Sequence, residues 1–159
     1  MRPLLFLDVD GTLLPYGAPD PYPVYESGGA DPDAHPLLTR IDPGLGDRLR
    51  DLDCVLVWAS TWLDDANDVI APWLGLPPLP VLDWPDQPRP SGGVHWKTRP
   101  LVEHAAGRAF VWLDDEIAAA DRAWVDAHHP GPALLHRVDH RRALTEADFG
   151  VVREWLGGG

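Results

Sequence analysis

The chain has 159 residues, 45% hydrophobic and 24% charged, with a formal net charge of −12 at pH 7. That length fits one domain able to bury a core without staples, and the charge argues against non-specific binding to nucleic acid or anionic lipid. No apolar run approaches the ~18 residues needed to span a bilayer. The first residues lack the apolar length and cleavage site of a signal peptide. The single cysteine, Cys54, excludes an internal disulfide, so a cytoplasmic protein is expected.

Pro3 to Val9 is a short apolar run that stops at a polar turn, which predicts a buried strand. Leu13 to Pro36 is rich in Pro, Gly, Asp and Tyr and has no helical period, which predicts an extended excursion or hairpin flap. Leu37 to Ile41 reads as a short strand. Asp42-Pro43 then forms a helix start, with Leu45, Leu49 and Leu52 on one face. Val55 to Ala59 is a second buried strand, ending at Ser60-Thr61. Leu63 to Leu74 reads as a helix closed by Gly75. Leu79 to Leu82 is a third short strand, and residues 85–93 form a proline loop. A helix from Lys97 to Ala106 precedes a fourth core strand, Ala109 to Leu113, which ends at Asp114-Asp115. A helix over 116–128, a fifth strand from Ala133 to Val138 and a last helix over 145–156 complete the chain. Near-continuously apolar strands alternating with helices predict an α/β protein with a five-stranded parallel sheet covered on both faces.

In such sheets ligands bind beyond the carboxyl ends of the strands. Polar residues do collect there: Asp8 and Asp10 after the first strand, Ser60 and Thr61 after the second, Asp114 and Asp115 after the fourth. Residues i and i+2 of an extended backbone face the same side, so Asp8 and Asp10 are expected to share a site with the second acidic pair. Gly11 lets the chain turn sharply. Four like charges together require protons or a cation. Oxygen donors without Cys or His point to Mg²⁺ and away from zinc. Against four carboxylates, one Mg²⁺ and Lys97 leave a charge of −1, which marks Asp10 as the carboxylate to carry a proton and so serve as a general acid. Lys97 is the only lysine among 13 basic residues, as expected where a compact ammonium is wanted.

Asp8-Val9-Asp10-Gly11-Thr12 after an apolar strand resembles the first motif of the haloacid dehalogenase superfamily in its phosphatase form. Ser60, with Thr61 as a substitute, matches the second motif. Lys97 matches the third, and Asp114-Asp115 the fourth. The resemblance covers Leu4 to Trp155. It implies a Rossmann-like three-layer fold, Asp8 as nucleophile forming an aspartyl-phosphate, and Asp10 as acid and base. It further implies phosphate contacts from Ser60 or Thr61 and from Lys97. Mg²⁺ would be held by Asp8, the carbonyl of Asp10, and Asp114 or Asp115. Neither interval between motifs has room for a cap domain, so the resemblance is to a capless member with a single domain over residues 1–159 and the flap at 13–36. Such an open site accepts a large phosphorylated partner, or a small one if homo-oligomerisation supplies the missing wall.

Other readings stand beside this one. Asp8-x-Asp10-x-Thr12 fails as a calcium loop, since position twelve is Pro19. The flap tyrosines Tyr16, Tyr22 and Tyr25 are candidates for substrate contact or plain solvated residues. Trp58, Trp62, Trp84, Trp96 and Trp112 lie near strand ends or motifs and either line a pocket or pack the core. The leading expectation is Mg²⁺-dependent hydrolysis of a phosphate monoester. The alternatives are phosphoryl transfer to an acceptor other than water, and a non-catalytic binding module of the same fold.

Overall fold

A computed structural model describes residues 1–28, 30–84 and 93–158. Four of the apolar runs become parallel strands: β1 (Leu4–Leu7), β2 (Val55–Trp58), β3 (Phe110–Asp114) and β4 (Ala133–Arg137). They lie in the order β2-β1-β3-β4, with Leu4 opposite both Val55 and Phe110, and Phe110 opposite Ala133. β1 and β3 sit in the middle and are buried along their whole length, which is why these segments carry no polar alternation.

The sheet therefore has four strands, not the expected five. Leu79 to Leu82 shrinks to one bridge between Trp58 and Val81. The Trp58 N–H donates to the Pro80 carbonyl at 2.8 Å, and the Leu82 N–H donates to the Trp58 carbonyl at 2.9 Å. Pro77, Pro78 and Pro80 have no N–H to offer, so the ladder cannot lengthen. Leu37 to Ile41 is not a strand either; Leu38–Arg40 winds into a 3-10 turn.

The helices are α1 (Leu45–Arg50), α2 (Ala71–Leu74), α3 (Thr98–Ala105), α4 (Ala119–His128) and α5 (Glu146–Gly158). The helix expected from Leu63 starts later. Leu63 is left-handed at φ 51°, Ala66–Ile70 forms a π-helix, and α2 follows before Gly75 closes it at φ 69°. Pro72 cannot donate to the carbonyl four residues back, which favours the wider turn ahead of it. Asn67 of that turn accepts from Trp58 Nε1 and from the Leu79 N–H, both at 2.8 Å, and so ties the bridge segment to β2.

Side chains alternate across the sheet. Leu5, Leu7, Trp58, Val111 and Leu113 pack with Leu49 of α1, Trp73 of α2 and Phe149 of α5. Leu4, Phe6, Val57, Phe110 and Trp112 pack against Leu101 of α3 and Val125 of α4 on the other face. The architecture is a three-layer α/β sandwich. The chain passes from β2 over β1 to β3, so strand order reverses between β1 and β3, and their carboxyl ends frame the crevice where such folds bind ligands.

The excursion over 13–36 contains no hairpin among its described residues. Its one bridge pairs Leu14 with Asp10. The proline loop expected over 85–93 lies outside the described residues apart from Gly93. Among the described residues no helix is long and apolar enough to cross a membrane.

Candidate active site

Asp8 is the first residue beyond β1, and its N–H donates to the Leu113 carbonyl of β3 at 3.2 Å. Its carboxylate is buried. Oδ1 accepts from Lys97 Nζ at 3.0 Å, and Oδ2 accepts from the Thr12 hydroxyl at 3.3 Å. Val9 carries the turn that delivers Thr12, since its carbonyl accepts the N–H groups of Thr12, Leu13 and Leu14. Gly11 makes that turn at φ 80°, and a Cβ there would run into the Asp115 carboxylate.

Lys97 precedes α3, and Nζ also donates to Asp114 Oδ2 at 2.9 Å. The loop presenting it is clamped by Asp121 of α4, which is 1% exposed. Asp121 Oδ1 accepts from the His95 N–H at 2.7 Å and from the Thr98 hydroxyl at 2.8 Å. Its Oδ2 accepts the Ala118 N–H at 2.8 Å, capping α4. His95 Nδ1 accepts the Lys97 N–H at 3.1 Å, which leaves Nε2 as the donor to Glu116 at 2.7 Å. Sequence reasoning did not single out Asp121. Its signal was the acidic residue three positions after the Ala118 helix start.

Asp114 ends β3 and Asp115 follows it. Asp8, Asp114 and Asp115 each offer a carboxylate oxygen, all within 4.8 Å of one another. The Tyr16 hydroxyl donates to Asp115 Oδ2 at 3.0 Å, so one of the three flap tyrosines reaches the cluster. Tyr22 instead donates to the Arg141 carbonyl at 3.1 Å, and Tyr25 packs against the core.

The electrostatics follow from this crowding. Burial is the largest influence on Asp8 and pushes its carboxyl up to about 8; Lys97 opposes the shift, and Asp114 and Asp115 reinforce it. Asp115 is also raised, by burial first and then by its hydrogen bond with Asp114. Burial works against the Lys97 ammonium, but Asp8 and Asp114 overcome it and hold Lys97 above the usual lysine range. The Tyr16 phenol is pushed up to about 12 by burial and by Asp115. Three carboxylates against one ammonium leave a charge of −2, which one divalent cation would cancel. Carboxylate oxygens with no thiol or imidazole in the cluster suit Mg²⁺.

Asp10 departs from the expected arrangement. Its side chain is exposed and stands outside the trio, with Oδ2 accepting from Trp62 Nε1 at 3.2 Å. The charge sum that marked Asp10 for a proton counted four carboxylates in one cluster. With three gathered, a dication and Lys97 already balance them, and the upward shifts fall on Asp8 and Asp115.

Ser60 lies two residues beyond β2 and is buried. Its Oγ accepts the Trp62 N–H at 3.1 Å, and its carbonyl accepts from Trp84 Nε1 at 2.9 Å. Among the described residues the Ser60 hydroxyl donates to none. Thr61 is exposed. The tryptophans divide by place. Trp58 and Trp112 are core, Trp62 and Trp84 brace the Ser60 loop, and Trp96 lies with its ring centre 5.7 Å from Lys97 Nζ.

No curated protein and no solved structure matches the chain. The family model described as "HAD domain in Swiss Army Knife RNA repair proteins" matches residues 4–149. That span holds Asp8, Asp10, Ser60, Lys97, Asp114 and Asp115, and the chain belongs to this family of the haloacid dehalogenase superfamily.

Proposed function

We propose that the chain hydrolyses a phosphate monoester through an aspartyl-phosphate on Asp8, with Mg²⁺ as cofactor. The observation that carries this reading is the Asp8 carboxylate, buried, held by Lys97 and Thr12, and within 4.8 Å of two further carboxylates. A carboxylate so constrained is a positioned nucleophile.

An Asp8 oxygen attacks phosphorus, and the bond to the leaving oxygen breaks. Asp10, at the exposed rim, gives that oxygen its proton. Water then attacks the acyl phosphate, Asp10 takes the water's proton, and Asp8 is released with inorganic phosphate. Lys97 and the Ser60 hydroxyl meet charge on the transferring oxygens. Asp8 with Asp114 and Asp115 would hold Mg²⁺, which supplies charge neutralisation for the anionic ester. The family description refers to RNA repair proteins, and this supports a phosphorylated nucleic-acid end as the ester.

The test is release of phosphate from an aryl phosphate and from phosphorylated oligonucleotides, with Mg²⁺, with chelator, and with Asp8→Asn. Loss of the nucleophile should cost at least about 10³-fold in kcat, as for nucleophiles that act as part of a unit. Activity that survives Asp8→Asn rules out the assignment of the nucleophile. Activity indifferent to chelation removes the metal.

A further inference from the structure

Lys97 has a second set of ties, and they do not pass through Asp8. Both of its backbone groups are engaged: the N–H donates to His95 Nδ1 at 3.1 Å, and the carbonyl accepts the Leu101 N–H at 3.0 Å. His95 Nε2 then reaches the carboxylate of Glu116, 21 residues away, at 2.7 Å. The Glu116 N–H in turn donates to Asp114 Oδ1 at 3.0 Å, while Asp114 Oδ2 holds Lys97 Nζ at 2.9 Å. These bonds close a ring that runs from the Lys97 ammonium through Asp114, Glu116 and the His95 imidazole back to the Lys97 backbone.

Turn formation does not explain the second half of that ring. His35 makes the same short-range bond, with Nδ1 accepting the Leu37 N–H at 3.1 Å, so a turn of this kind needs one ring nitrogen only. Stability does not explain it either. The Glu116 side chain is 61% exposed, and pairs with so exposed a partner contribute little. The imidazole itself is held closely. It is stacked on Trp96 and lies edge-on to Trp112, with ring centroids 5.4 and 6.2 Å apart. With Nδ1 accepting, Nε2 must carry the proton given to Glu116.

What the ring can do follows from the chemistry at Asp8. At rest the ammonium is held by Asp8 and Asp114. Asp8 gives up that role when it becomes bonded to phosphorus. A lysine stem is flexible, so an ammonium whose partner changes needs its own anchor to stay in place. We propose that His95 is a positioning residue: through Glu116 it locks the Lys97 backbone to the segment carrying Asp114, and so keeps the ammonium aimed at the transferring phosphoryl group while Asp8 is covalently occupied. This role rests on the phosphomonoesterase reading of the same site.

The test uses the full chain, an aryl phosphate and Mg²⁺. His95→Asn keeps an acceptor for the Lys97 N–H and removes the reach to Glu116. It should lower kcat about tenfold to 100-fold, the size of effect that a misplacement of about 1 Å produces. KM should stay within about threefold of the native value, because the ammonium meets charge that grows in the transition state. Glu116→Ala should reproduce that loss, and Glu116→Gln, which keeps an oxygen acceptor for Nε2, should recover most of it. His95→Asn combined with Glu116→Ala should be no worse than either alone, since both cut one tie. Thermal melts accompany the rates, which are read well below each melting temperature. One hydrogen bond to an exposed acceptor should lower Tm by no more than about 4 °C.

No hydrolysis by the native chain overturns the phosphomonoesterase reading and this role with it. Hydrolysis that needs Asp8 but proceeds at the native kcat in His95→Asn leaves that reading standing and overturns the role of His95. So does a loss carried in KM alone, which marks the ring as part of ester binding. Losses that add in the double variant, or a Glu116→Gln as poor as Glu116→Ala, also overturn it, because two separate effects or the charge of Glu116 would then be at work.

Discussion

Replacing Lys97 with methionine keeps most of the side-chain volume and removes the ammonium that touches both Asp8 and Asp114. All three side chains are no more than 7% exposed, so solvent cannot take over the lost partner. Stripping one partner from a buried ion pair costs about 3–5 kcal/mol. For a domain of this size each kcal/mol lowers Tm by about 2–4 °C, which gives a drop of about 6–20 °C at pH 8 without metal. The deficit should depend on pH, and its sign follows from Asp8 and Asp115. Their folded-state carboxyls lie above the ordinary aspartate range, Asp8 at about 8. The folded chain therefore binds protons that the unfolded chain has released, and stability contributed by these groups is full below pH 4 and lost as pH rises toward 8. In Lys97→Met the carboxyls rise further, so the variant should recover toward the parent on acidification. Added Mg²⁺ should restore both proteins, most strongly at high pH, because its ligands must be deprotonated. The assay is a set of thermal melts from pH 5 to pH 8, with chelator and with Mg²⁺. A deficit under about 2 °C at pH 8, or one of the same size at every pH, would refute the account of three carboxylates sharing one ammonium.

Trp62→Phe removes the donor to Asp10 and keeps an aromatic ring at the place where Trp62 packs on His35, with ring centroids 4.7 Å apart. A lost hydrogen bond of about 1 kcal/mol predicts a roughly fivefold fall in kcat for alkyl phosphates. Aryl esters with good leaving groups should change far less, and equal losses on both would remove Trp62 from the orientation of the acid. Tyr16→Phe should raise the Mg²⁺ concentration for half-maximal activity about tenfold, as loss of a group that orients a metal ligand does; an unchanged value would make the Tyr16–Asp115 bond incidental. Gly11→Ala combines a φ of 80° with a Cβ driven into Asp115. It should cost activity and Mg²⁺ affinity together, measured by initial rates across a metal titration, and normal values for both would contradict the close approach.

The sequence was most legible where burial on both faces left only apolar choices. β1, β2 and β3 stand within a residue or two of their expected bounds, because no other element accommodates such runs beside strand-end carboxylates. Leu79 to Leu82 misled for a definable reason. Hydrophobicity suggested a strand, while the missing N–H groups of the neighbouring prolines decide how long a ladder can grow. At the site, strand-end position pointed to Asp8, Asp114 and Asp115 and the motif order of the resemblance to Lys97, and these four side chains lie together. It did not resolve Asp10, because the rule that i and i+2 share a side holds only while the chain stays extended, and the turn at Gly11 begins at once. Contacts made through tertiary packing, such as Trp62 to Asp10 and Asp121 under the Lys97 loop, carry no spacing signature at all.

The prolines beside β2 have a consequence of their own. β2 is an outer strand, and an open outer strand is a template on which further chains can add. Here the segment that lies against it bonds through Pro80 and Leu82 and contains Pro77 and Pro78 as well. It occupies that edge at Trp58 without becoming a new ladder, since Pro77, Pro78 and Pro80 offer no N–H to a further strand. The residues that cost the sheet its fifth strand therefore protect this side of the molecule from self-association into larger sheets.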